Sequence, residues 1–151
     1  MKHSNFHCAH GMFHEDNYSS AHDMAKLCYH MMREPMFKEI VKTVNRECSS
    51  QKYPGHIYKW SNTNHLLQRE PQSCTGIKTG ITWAAGPCLA ASMRRERYHC
   101  CVIILACCST ESRWYEVPKL VNWGVKKLLR INQSKLRPKM KKRIIKNFTY
   151  I

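Results

Sequence analysis

Residues 75–82, Thr-Gly-Ile-Lys-Thr-Gly-Ile-Thr, constrain the fold more than any other stretch of this chain. They follow a polar loop, Gln68–Ser73, and the spacing predicts a strand over Gly76–Thr82. Two further strands are expected over Cys88–Tyr98 and Cys101–Cys107, turned around Arg94–Arg97. Three consecutive strands with short connections make an antiparallel sheet, and the helical patterns on either side of it make the class α+β.

Before the sheet, Ser19 and Ser20 are good helix N-caps and Asp23 sits where a capping carboxylate helps. Met24, Leu27, Cys28, Met31 and Met32 then recur at helical spacing as a core stripe, and Pro35 stops the helix. A second helix is expected over Met36–Val44, with Phe37, Ile40, Val41 and Val44 apolar. Arg46–His56 holds Ser49, Ser50, Pro54 and Gly55 and reads as a loop; Tyr58 and Trp60 suggest a short strand. After the sheet, Glu111–Arg130 is expected as a helix with Trp114, Val117, Leu120, Val121, Val125 and Leu128 on one side. No structure is expected beyond Asn132, where polar and like-charged residues dominate.

Lys78-Thr79-Gly80 resembles one of the three signatures of the active-serine enzymes that recognise penicillin. The flanking order is similar to that of the D-alanyl-D-alanine carboxypeptidase family of low-molecular-weight penicillin-binding proteins. Met1–Phe6 resembles the family's Gly-Met-x-x-Thr-x-Phe, and His10-Gly11-Met12 its His-Gly-Leu. Ser19–Ala25 resembles Ser-Thr-Ala-x-Asp-Met-Ala, and Asn62–Leu67 resembles Asn-x-Asn-x-Leu-Leu. Leu120–Gly124 resembles the closing Leu-Leu-Asn-Trp-Gly. The likeness runs from Met1 to about Leu129. It departs at Cys8-Ala9, where the family often has Asn-Pro, at Thr75, often Asp, and at Pro87, usually aromatic.

The resemblance implies a partial β-lactamase/transpeptidase-like fold, in which these would be the last three strands of a five-stranded sheet. Residues 1–130 would be the C-terminal part of the catalytic domain and residues 131–151 a basic tail. The match begins past the family's Ser-x-x-Lys and Ser-x-Asn motifs, so the nucleophile half is expected to lie outside this chain. Val102–Leu105 would then leave an apolar sheet edge open to a complementing N-terminal polypeptide. In complete enzymes a serine attacks the penultimate D-Ala carbonyl, and the acyl-enzyme is hydrolysed. By resemblance, Lys78 supplies positive charge, Thr79 bonds the terminal carboxylate, Gly80 leaves room for the substrate backbone, and the Ile81 N–H is an oxyanion donor. Arg113 resembles a family arginine that assists carboxylate recognition; read from position alone, it is a solvated helix-terminal charge. The ligands implied are D-Ala-D-Ala peptides or β-lactams.

One Ser-x-x-Lys string exists, Ser49-Ser50-Gln51-Lys52, but Pro54-Gly55 follows it, and the chemistry needs that serine at the start of a buried helix. No Ser-x-Asn occurs. The expectation is therefore a serine-type carboxypeptidase relative whose catalytic residues are absent from this chain and which does not turn over alone. The alternative is a non-catalytic remnant acting as a binding module through its tail. The net charge is +15, and Gly124–Ile151 contains ten Lys or Arg and no acidic residue. Lys126, Lys127, Arg130, Lys135, Arg137, Lys139, Lys141, Lys142, Arg143 and Lys146 could meet a polyanion, and the interleaved Ile131, Leu136, Met140, Ile144, Ile145 and Phe148 an acidic membrane surface. Pro138 interrupts any single helix there, and no nucleic-acid-reading motif accompanies the charge.

Nine cysteines, an odd number, exclude complete internal pairing, and no Cys-x-x-Cys occurs; Cys100, Cys101, Cys107 and Cys108 read as buried thiols. His3, His7, Cys8, His10 and His14 fit no defined zinc spacing, so no metal and no cofactor are assigned. A Cys/His hydrolase built on His99 and Cys100 is discounted, because neighbouring strand residues point to opposite faces. The stretch Met1–His14 is polar, and the apolar run Cys100–Cys108 is too short to span a bilayer. Family members are normally exported, so the compartment stays open.

Overall fold

The computed structural model describes residues 1–147, with side chains described through Ser134. Helix α1 spans Ala21–Met31, and the Ser20 side chain caps it by accepting from the Asp23 N–H. The Asp23 carboxylate is turned elsewhere: it is buried and accepts from the His3 N–H at 2.7 Å and the Ser4 hydroxyl at 2.9 Å. One residue thus anchors the first segment of chain onto α1. Helix α2 spans Pro35–Lys42, with proline in the first turn, where its missing N–H costs no helix hydrogen bond.

Residues Asn45–Ser49 and Ile57–Ser61 form strands β1 and β2 of an antiparallel hairpin. This corrects the loop expected over Arg46–His56. The Pro54-Gly55 signal belongs to the turn alone, while the pairs Arg46–Trp60, Glu47–Lys59 and Cys48–Tyr58 zip the flanks. Lys59 and Glu47 make an ion pair at 2.9 Å. Both strands are exposed throughout, which is why no alternation announced β1.

A short helix α3, Leu66–Arg69, leads into the main sheet: β3 (Cys74–Thr82), β4 (Gly86–Arg95) and β5 (Tyr98–Ile104), antiparallel in the order β3-β4-β5. The three-stranded sheet is as expected, but β5 lies three residues earlier than predicted. The turn occupies only Glu96-Arg97, and Glu96 takes a positive φ of 54° there. The turn falls inside the expected Arg94–Arg97, but without glycine or asparagine to mark it, its two-residue length was not legible.

The sheet is covered on both faces. On one side Leu66, Cys74, Leu89, Ala91 and Met93 pack with Trp114, Val117, Val121 and Val125 of helix α4, which runs Ser112–Asn147. On the other, Cys28 and Met32 of α1 and Phe37 and Val41 of α2 meet Ile77, Ala90, Cys101 and Ile103. Strand β5 feeds both clusters, Cys100, Val102 and Ile104 into the first and Cys101 and Ile103 into the second. Of the predicted stripes, Ile40, Leu120 and Leu128 are exposed instead. The inward row on α4 is 114-117-121-125, narrower than the set of apolar positions.

Helix α4 also continues past Asn132 and through Pro138 to Asn147, where the sequence predicts no structure and a break at the proline. Lys, Leu, Arg and Met are strong helix formers, and their preference outlasts the buried face. The side chains of the basic tail beyond Ser134 lie outside the described residues. Among those described, no helix is long and apolar enough to cross a membrane. The cysteines are free thiols; Cys28 and Cys74 are buried, Cys100, Cys101 and Cys107 half-buried, and Cys108 is exposed, against expectation. Cys108 lies beyond the end of β5, against the Ser112 hydroxyl, rather than inside a strand.

Candidate functional site

Strand β3 changes character along its length. Cys74, Gly76 and Ile77 are buried, whereas Lys78, Gly80 and Ile81 are exposed and Thr79 is half-exposed. The strand has β4 on one side and, among the described residues, no strand on the other. It therefore presents an ammonium, a hydroxyl and a glycine along a free edge. Lys78 reaches the carbonyl of Thr79.

The Thr79 hydroxyl is met by Thr63, whose Oγ1 lies 2.6 Å from Thr79 Oγ1. Thr63 sits in the segment Asn62–Leu67, and two asparagines fix it. Asn62 donates to the carbonyls of Thr43 (3.0 Å) and Val41 (3.3 Å) and accepts from the Asn64 N–H, tying the segment to the end of α2. The buried Asn64 side chain accepts from the Leu66 N–H at 3.2 Å and so starts α3. The sequence of Asn62–Leu67 gives Thr63 no role of its own. Only the fold shows that two stretches of sequence resembling the same family meet through their hydroxyls.

Arg113 is 2 % exposed, which excludes the solvated charge. It is the second residue of α4, and its guanidinium lies over the Trp114 ring. Nη1 donates to the Cys88 carbonyl at 2.8 Å and the Gly80 carbonyl at 3.4 Å, and Nε donates to Thr110 at 3.1 Å. A permanently charged donor is thereby held against the same strand as Lys78. The structure thus brings Lys78, Thr79, Gly80 and Arg113 together and adds Thr63. The exposed Lys78 ammonium and the Thr79 hydroxyl at this edge can bind a carboxylate, with the buried Arg113 charge behind the strand.

The Ser49–Lys52 string lies in the β1–β2 hairpin. Ser50 Oγ accepts from the Tyr53 N–H at 2.9 Å, and Lys52 lies over the Tyr53 ring. This is a turn, not a helix start. Among the described residues, no serine hydroxyl is hydrogen-bonded to a lysine amine. His99 turns away from Cys100: its Nε2 lies 2.7 Å from the buried Ser92 hydroxyl and 3.1 Å from Thr75 Oγ1, while Cys100 packs in the opposite cluster. Ser92 is 0 % exposed, so this polar triangle locks β3, β4 and β5 in register and offers no nucleophile to a substrate.

Residues 1–108 match the family model described as D-alanyl-D-alanine carboxypeptidase. The chain belongs to that family. It is 26% identical over 151 residues to the D-alanyl-D-alanine carboxypeptidase DacF of Bacillus subtilis, covering 94% of this chain and 37% of that protein. It is 30% identical over 125 residues to the carboxypeptidase DacA of Haemophilus influenzae, covering 82% of this chain and 30% of the relative. The crystal structure of the Streptomyces K15 DD-transpeptidase superposes with a TM-score of 0.70 at 28% identity, over 77% of this chain and 45% of that one. The architecture is thus the DD-peptidase fold in part, α+β with its three-stranded antiparallel sheet. The family member spans about a third of the curated relatives' length and just under half of the transpeptidase's.

Proposed function

We propose that residues 1–130 are the C-terminal part of a serine-type D-Ala-D-Ala carboxypeptidase catalytic domain, carrying the carboxylate-recognition half of its cleft. In this reading Lys78 sets the positive potential, Thr79 donates its hydroxyl to the terminal carboxylate, and Gly80 lets the substrate backbone lie against β3. The Ile81 N–H faces the carbonyl oxygen, and Arg113 adds charge from behind the strand. The observation that carries the reading is the meeting of Lys78 and the Thr63–Thr79 hydroxyl pair on one open strand edge, with the buried Arg113 hydrogen-bonded to Gly80 and Cys88 behind it.

The acyl-transfer step needs a nucleophilic serine with a base beside it. No such pair exists among the described residues, so the chain by itself binds and does not turn over. A complementing N-terminal portion would supply serine and base, and the free edge of β5 is the surface along which it would pair. Labelling purified chain with fluorescent penicillin tests this. No covalent adduct is expected on the chain alone; an adduct that resists denaturation and is competed by unlabelled penicillin would overturn the inactive reading.

A further inference from the structure

The loop leading into α1 gathers two imidazoles and a carboxylate that the carboxylate cleft does not use. The His7 and His14 rings are stacked with centroids 3.6 Å apart and planes 6° from parallel. His14 Nδ1 lies 3.7 Å from Asp16 Oδ2, and one ligand atom from each of His7, His14 and Asp16 falls within 4.8 Å of the others. The spacing of histidines alone missed this set, because Asp16 completes it and His3 and His10 take no part. His10 Nδ1 accepts from the Met12 N–H instead.

The cluster is held from both sides. Asn17 accepts from the His7 N–H at 2.7 Å, donates to the Met12 carbonyl at 3.0 Å and contacts Cys8 Sγ at 2.9 Å. Asn5 donates to the Asp16 carbonyl at 2.8 Å and pairs with Tyr18 as an isolated bridge. His14 Nδ1 accepts from the Asp16 N–H at 3.2 Å, so its lone pair already points toward the carboxylate-bearing residue. A cation there would replace that amide hydrogen. The loop also lies outside the cationic part of the chain: from Met1 to Tyr18 the charged side chains are Lys2, Glu15 and Asp16.

We propose that His7, His14 and Asp16 form a binding site for a divalent transition-metal ion of the zinc class. Two imidazoles and one carboxylate suit zinc, whereas magnesium and calcium favour all-oxygen sets. Bonds of about 2.0–2.2 Å to nitrogen and oxygen require the three ligand atoms to close by roughly an ångström. The two stacked rings must also turn out of parallel, so that both in-plane lone pairs meet the ion. His7 and Asp16 are exposed and His14 half-buried, which leaves room for that rotation. Water completes the coordination. Phe13, between the two histidines' turns, packs on Trp83 at the β3–β4 turn with ring centroids 4.7 Å apart. A bound ion would therefore fix the loop beside the strand that carries Lys78. The site itself does not depend on the carboxylate reading.

The test is calorimetric titration of Zn2+ into the full chain, stripped of metal and kept reduced. It is repeated on His7→Ala, Asp16→Asn and, as a control, His30→Ala, which lies on α1. His7 and Asp16 are exposed, so neither change threatens the core. One equivalent of zinc is expected, with affinity about tenfold or more weaker in His7→Ala and Asp16→Asn and unchanged in His30→Ala. Zinc should also shift the His7 and His14 ring protons in NMR spectra. Failure of the unmodified chain to take up zinc would overturn the proposal, as would equal affinity in all variants, which would place the metal on the free cysteines.

Discussion

Thr63 Oγ1 and Thr79 Oγ1 stand 2.6 Å apart, so the hydroxyl at the centre of the Lys78–Gly80 edge is positioned by a neighbour before any ligand arrives. A hydroxyl can accept one hydrogen bond while donating another, and accepting from Thr63 would leave Thr79 its proton for a carboxylate. Thr63→Val keeps the shape and removes that partner. A neutral hydrogen bond contributes about 0.5–1.5 kcal/mol, so carboxylate binding should weaken roughly two- to tenfold with little loss of melting temperature. Calorimetry or NMR titration measures the first and thermal unfolding the second.

Gly76 is a different kind of constraint on the same strand. It sits at the irregularity between Cys74 and Gly76 with φ +135°, and a Cβ there would lie 2.6 Å from Val41 Cγ2. Both the backbone and the close approach of α2 exclude a side chain. Gly76→Ala should destabilise the protein by about 2–5 kcal/mol, read by denaturant unfolding. A loss under about 0.5 kcal/mol, the range of an ordinary surface substitution, would show that β3 and α2 are not packed this closely.

His99 gives the sheet a pH dependence. Partial burial first, then Arg94 and Lys38, hold its imidazole below the ordinary 6.5. As pH falls through that ordinary value, the unfolded chain takes up a proton before the folded one does. The stabilising contribution is therefore complete above 6.5 and is lost as pH drops toward the lowered folded value. Comparing melting temperatures on both sides of this window, His99→Gln should lose less stability on acidification than the parent. Parallel curves would contradict the assignment. The effect is modest because part of the ring is exposed.

Thiol reactivity should divide the cysteines sharply. Burial, with Cys101 nearby, pushes Cys28 up to about 11, whereas the hydrogen bond that Cys108 makes to the Ser112 hydroxyl is the main cause that lowers this exposed thiol. The thiolate is the reacting form. Under limiting iodoacetamide, peptide mapping should find Cys108 alkylated early, at lower pH than an ordinary thiol needs, and Cys28 last. Early modification of Cys28 in folded protein would contradict the packing of α1 on the sheet.

What the sequence made legible were features set by short-range chemistry. Ser20 does cap α1, Pro35 does separate the two helices, and the Gly76–Thr82 run is a strand. What it hid depended on partners far away in the chain. The β1 strand exists because Arg46, Glu47 and Cys48 face Trp60, Lys59 and Tyr58, not because of any alternation of its own. The turn expected around Arg94–Arg97 is there, but its tightness, with Glu96 at positive φ and no glycine, was not legible. For Arg113 a solvated helix-terminal charge stood beside the family-like reading until the fold buried it with the Cys88 carbonyl 2.8 Å away. Within the proposed site, Lys78 through Ile81 could be named by resemblance to the family's motif, whereas Thr63 became visible only when its loop was folded against β3.

The central claim is that the Lys78–Ile81 edge recognises a D-Ala-D-Ala carboxylate, and an amide NMR titration of the whole chain with D-Ala-D-Ala dipeptide measures it most directly. Saturable shifts are expected at Lys78, Thr79, Gly80 and Ile81, with a Kd in roughly the millimolar range, weaker for L-Ala-L-Ala and abolished in Lys78→Ala. Shifts confined to other parts of the chain, or equal binding by Lys78→Ala, would contradict the account.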